Sequence, residues 1–163
     1  MAHPSAAAPP PWSIAVDYWR DDAFLLVRFA TFEENDWIDW PSPASSTRQD
    51  ALWRTTCFEV FVETPDGYRE YNLSPSSEWA SYRFDAYRKG MRAAPESVIS
   101  KGIRFEGLGA QLEAQLELPQ DARRLGFSAV IHTTDDEFLY WALAHPSAKP
   151  DFHHPDSFVL DLP

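Results

Sequence analysis

The chain has 163 residues, 25 of them acidic and 14 basic, and a formal net charge of −11. That length suits one domain with a single core. The charge excludes the clustered cations that contact nucleic acid or an anionic membrane surface, and no apolar run approaches the ~20 residues needed to cross a bilayer as a helix. The one cysteine, Cys57, has no partner for an internal disulfide. Six glycines, fourteen prolines and seven tryptophans describe a scaffold of short strands cut by turns, rich in rings for a core or for stacking.

In chain order, residues 1–11 (MAHPSAAAPPP) are Ala- and Pro-rich, with nothing to bury. They read as a disordered or loosely attached arm. They lack the basic and apolar regions of a signal peptide, so the expected location is cytoplasmic. Alternation predicts strands over 13–19 and 24–31, joined by a turn at Arg20-Asp21-Asp22. A long loop, 32–51, follows and carries Trp37 and Trp40, which plug a core edge or meet a ligand.

Residues 52–87 form a meander. In CFEVFVE, Phe58, Val60 and Val62 face one side while Cys57, Glu59, Phe61 and Glu63 face the other. Pro65-Asp66-Gly67 is a turn, 68–74 the returning strand, 75–78 a second turn and 79–87 a third strand. Residues 88–97 and 119–124 are the places for short helical turns. Strands are expected over 99–106 and over 111–118, where QLEAQLEL alternates strictly. A hairpin is expected over 125–133 and 137–145, and a closing strand over 158–162. Nine or ten short strands predict an all-β antiparallel sandwich spanning 12–163 as one domain.

Two constellations carry chemistry. On the meander's polar face, Glu59, Phe61 and Glu63 lie beside Tyr68, Glu70 and Asn72. Carboxylates and a carboxamide around a ring are what hydroxyl-rich ligands require, although a solvated outer face has the same composition. Arg54, Trp53 and Trp79 flank it; Arg54 would pair with an acid or a ligand anion, and Trp79 would serve as a stacking platform. The second constellation is His145 with Asp151, His153 and His154. These are suitable metal ligands by type. Yet adjacent histidines point to opposite sides of an extended chain, and the spacing matches no standard zinc site. The bland reading is a proline-pinned loop, and a rigid loop also suits a binding site. Cys57 reads as inert packing. No phosphate loop, nucleophile elbow or zinc-protease motif is present.

The strand CFEVFVE, followed by YREYNLSPSSEW, and the tail YWALAHPSAKPDFHHPDSFVLDL resemble the DOMON-like and family-9 carbohydrate-binding-module superfamily. The resemblance extends from about Trp12 onward. It implies a jelly-roll-like sandwich that binds sugars or haem on its concave sheet or flanking loops, without chemistry. The chain departs from the haem branch: axial ligation needs Met with His or a similar pair, and the methionines are Met1 and Met91. The expected function is therefore non-enzymatic binding of a small polar ligand, a saccharide or sugar-containing metabolite, at Arg54, Glu59, Phe61, Asn72, Trp79, His145, Asp151, His153 and His154. No cofactor is expected. The alternatives are a protein-interaction module, using the acidic face and the Trp37/Trp40 loop, and a haem- or divalent-metal-binding domain.

Overall fold

Alternating strands bury one face by pairing sheet on sheet, and this chain does so twice over. The computed structural model describes residues 1–4, 13–32 and 34–162, among which the strands are β1 (Ala15–Asp21), β2 (Phe24–Thr31), β3 (Cys57–Thr64), β4 (Gly67–Leu73), β5 (Trp79–Phe84), β6 (Arg92–Ala93), β7 (Val98–Glu106), β8 (Gly109–Glu117), β9 (Arg124–His132), β10 (Phe138–Ala142) and β11 (Leu160–Asp161). One sheet runs β1-β2-β8-β7 and the other β10-β9-β3-β4-β5-β6, with β11 joining β9. Neighbours within each sheet are antiparallel. The protein is an all-β antiparallel sandwich.

The core between the sheets holds Val27 and Phe29 of β2, Leu112 and Leu116 of β8, and Phe58 and Val60 of β3. The period-two reading of CFEVFVE therefore fixes which face turns inward. Gly67 closes the β3–β4 turn at φ 129°, where a Cβ would lie 1.9 Å from the carbonyl oxygen of Phe84. A residue with a side chain cannot occupy that position without moving β5. In the 32–51 loop Ile38 is buried, and Trp37 and Trp40 pack against the core. Their indole N–H groups donate to the carbonyls of Glu34 and Asn35, each at 3.2 Å. They plug the sandwich edge.

The expected helical turns fall elsewhere. Residues 88–97 hold no helix: a turn at Ala86–Lys89 leads into β6, which pairs with Tyr82 and Arg83 of β5. Residues 119–123 hold a turn at Gln120–Asp121 and no helix, and Arg124 already begins β9. Short 3₁₀ turns form instead at Leu52–Arg54 and Pro155–Ser157. The first strand runs later than expected, through Asp21, because Asp22 makes the turn at φ 48°. The closing strand is cut to Leu160–Asp161. Of the 1–11 arm, residues 1–4 are described. Ala2 bridges Trp141, and the His3 N–H donates to the Tyr140 carbonyl at 2.7 Å. No described helix is long and apolar enough to cross a membrane.

A second layer lies on the far side of the larger sheet. Residues 143–159 turn back across its outer face as a strap. Phe152 and Phe158 of the strap join Cys57, Phe61, Tyr68, Tyr82 and Phe84 in a second apolar cluster, separate from the sandwich core.

Candidate functional site

Register decides which side chains meet beneath the strap. One rung across β9, β3, β4 and β5 holds Ser128, Glu59, Asn72 and Ala80; the next holds Gly126, Phe61, Glu70 and Tyr82. Glu59 and Glu70 are thus diagonal neighbours on adjacent strands, close enough for their side chains to interact. They form the floor of a cleft of about 420 Å³ left between the strap and the sheet. Phe84, Tyr140 and Phe152 give the cleft apolar walls, and Trp53, Arg88, Met91 and His153 stand around it. Trp53 is 36% exposed, and its ring meets Tyr82 edge-on at 5.9 Å.

The floor is electrostatically unusual. Glu59 and Glu70 are each only 4% exposed. Glu59 accepts a hydrogen bond from the Ser128 hydroxyl at 2.9 Å, and Glu70 Oε1 accepts one from the Asn72 amide at 2.9 Å. Glu70 Oε2 and Asn72 Oδ1 are buried without a hydrogen-bond partner. Burial raises the Glu59 carboxyl well above the ordinary carboxylate range, and the neighbouring charge of Glu70 raises it further. Burial likewise raises Glu70. Desolvation disfavours the charged form of an acid; here two acids share the penalty and neither has a cation of its own.

The cation nearest in function is Arg88, and it is held elsewhere. Its Nη2 lies 2.7 Å from Asp151 Oδ1, and the Tyr87 hydroxyl donates to the same carboxylate. Those two hydrogen bonds and the charge of Arg88 outweigh burial and hold the Asp151 carboxyl low. His153 fills the gap between strap and sheet. Its Nδ1 lies 2.8 Å from Tyr68 Oη and its Nε2 3.8 Å from Glu70 Oε2. Burial, aided by the charge of Arg88, lowers its pKa to about 4, so the ring is neutral at physiological pH.

The residues singled out in the sequence are distributed as follows. Glu59 and His153 line the cleft. Asn72 lies beneath it with no exposed surface, and Phe61 is covered by the strap, stacked on Phe158 at 5.7 Å. Asp151 anchors Arg88. Arg54 is exposed in its 3₁₀ turn and does not line the cleft, where the ring of its neighbour Trp53 stands instead. Trp79 pairs with Leu73 and packs on the sandwich core, the opposite face from Glu59, so it is no stacking platform here. Ala80, Tyr82 and Phe84 share the face of Glu70 instead. His154 turns away: its Nδ1 accepts the Asp156 N–H at 3.2 Å and caps the Pro155–Ser157 turn. His145 sits at the N-terminus, 2.9 Å from the Met1 carbonyl and edge-on to His3. Glu63 is drawn off by Arg124 at 2.7 and 2.8 Å. Arg88 had no sequence signal, because it is placed by a turn residue at φ 52°.

Among the described residues no three His, Cys, Asp or Glu side chains gather as a metal site. Met91 and His153 line the same cleft; His153 Nδ1 is engaged by Tyr68, and its Nε2 stands 3.8 Å from Glu70 Oε2.

The sequence matches no protein-family profile and no curated protein. Among solved structures, the chain is similar to a proposed carbohydrate-binding protein from Bacteroides uniformis, with TM-score 0.60 and 16% identity over 90% of this chain and 76% of that one. It is also similar to a family-9 carbohydrate-binding module from Caldicellulosiruptor kristjanssonii in complex with glucose, with TM-score 0.48 and 12% identity over 84% of this chain and 69% of that one. At such identities the likeness is one of fold.

Proposed function

We propose that this protein is a saccharide-binding domain whose ligand enters the cleft between the strap and the seven-stranded sheet. The observation that carries the reading is the floor: two buried carboxyls, one with an oxygen (Glu70 Oε2) left without a hydrogen-bond partner, at the bottom of an open cleft walled by rings. Buried polar atoms are normally satisfied, and an exception aimed into a cleft calls for a donor from outside. Sugar hydroxyls supply such donors, while the C–H faces of a pyranose suit the half-exposed ring of Trp53. The sandwich shared with a proposed carbohydrate-binding protein supports the reading at the level of fold, as does the DOMON-like resemblance of the meander.

The test is a thermal-shift and NMR titration against a panel of monosaccharides and disaccharides. Binding to the folded state raises the melting temperature by mass action, and a Trp53→Ala variant is expected to lose most of that rise. A panel that shifts neither the melting temperature nor the Trp53 indole resonance would remove the proposal.

A further inference from the structure

The cleft floor offers acceptors and almost no donors. The Ser128 hydroxyl is spent on Glu59, and the Asn72 amide on Glu70. What remains at the floor is carboxyl oxygen, with Glu70 Oε2 buried and unpartnered. A neutral sugar hydroxyl has one hydrogen to give and satisfies one of these atoms. A primary ammonium has three hydrogens and no acceptor. It also brings the charge that the floor lacks, since no lysine lines the cleft and Arg88 is tied to Asp151.

Building on the saccharide reading, we propose that the cleft selects an amino sugar, its primary ammonium seated between Glu59 and Glu70. In the unliganded protein the two acids cannot both ionise cheaply, so a proton takes the place of the cation. Binding displaces that proton, and its release is a signature that no neutral sugar can give. The other groups facing the pair stay fixed near neutral pH. Burial keeps the Cys57 thiol and the Tyr82 phenol protonated, Tyr68 titrates only at about 12, and His153 is already neutral. Arg88 and Asp151 remain a charged pair.

The experiment is titration calorimetry at pH 7 with glucosamine, glucose and N-acetylglucosamine, each in phosphate and in imidazole buffer. Glucosamine is expected to bind about tenfold more tightly than glucose, the difference between a charge-assisted and a neutral hydrogen bond. Its binding enthalpy should change with the buffer as protons are released, while the glucose enthalpy should not. N-acetylglucosamine, the same sugar without the charge, should show no advantage. In Glu70→Gln the preference for glucosamine should disappear. Equal affinity for all three sugars would overturn this inference and leave the saccharide reading standing. No binding by any of them would overturn both.

Discussion

Tyr68 Oη lies 2.8 Å from His153 Nδ1, and this contact ties the middle of the large sheet to the strap that covers it. The phenol oxygen also accepts the backbone N–H of Arg88 at 3.2 Å. The phenol hydrogen is therefore free to go to Nδ1, which leaves the imidazole proton on Nε2, toward Glu70. One hydroxyl thus orients the strap, the Arg88 turn and the edge of the acid pair.

Tyr68→Phe deletes that hydroxyl while keeping the ring, which stacks on Phe84 at 4.6 Å. Two part-buried hydrogen bonds are lost, and the expected cost is about 1 kcal/mol. Urea unfolding should show the midpoint fall with the slope unchanged, because the buried surface is the same. A midpoint equal to that of the parent would show that the contact contributes nothing.

The pH dependence of stability has two opposed parts. Burial raises both Glu59 and Glu70 above the ordinary Glu value of 4.5. The folded state then holds protons that the unfolded chain has lost, so stability falls as the pH climbs above 4.5 through the titration of the pair. His153 acts in reverse: its pKa is lowered from 6.5 to about 4, and the stability of the neutral ring is lost as the pH falls across that interval. The two oppose each other from 4.5 to 6.5; above 6.5 the acids are opposed only by the N-terminal ammonium of Met1, which burial lowers from 8.0. Melting temperature should therefore decline above pH 6.5, and Glu70→Gln should flatten the decline. An unchanged slope in that variant would refute the assignment.

The two flanking tryptophans should behave differently. Trp79 packs on the sandwich core, and Trp79→Ala is expected to cost about 3–5 kcal/mol. Trp53 is 36% exposed at the cleft, and its removal should cost about 1 kcal/mol or less in stability while abolishing the response to sugar. Denaturation curves and a ligand titration of both variants would decide between this division and an equal role for the two rings.

Gly126 of β9 lies directly beneath the strap. A Cβ there would lie 2.9 Å from the Ser157 carbonyl oxygen and 2.9 Å from Phe158 Cδ1. Gly126→Ala should therefore lift the strap while the ladders of β3 and β9 persist. Hydrogen exchange should speed up over residues 151–158 and stay slow in the core strands. Uniformly faster exchange would mean that the strap and the sandwich open together.

Much of this architecture could be read from the period-two pattern. CFEVFVE and QLEAQLEL face as expected, because a half-buried strand cannot slip by one residue without exposing its whole apolar face. Glu59 and its neighbours were legible for the same reason. What could not be read is long-range placement. Nothing local announces that the polar face is roofed by residues 143–159, and so Phe61 and Asn72 look available in the sequence but are covered in the fold. The histidine-rich tail reads as metal chemistry until the strap's path sends His145 to the N-terminus, His153 to the acids and His154 to its own turn. Trp79 was misplaced for a simpler cause: its parity within β5 follows from Leu73 across the ladder, and that register depends on the 75–78 turn.

The larger sheet carries two apolar clusters on its opposite sides, one shared with the smaller sheet and one with the strap. The segment that shapes the mouth can therefore be rewritten without disturbing the packing that keeps the scaffold folded. Grafting different seventeen-residue covers over the 143–159 span would be a direct route to new specificities on an unchanged frame.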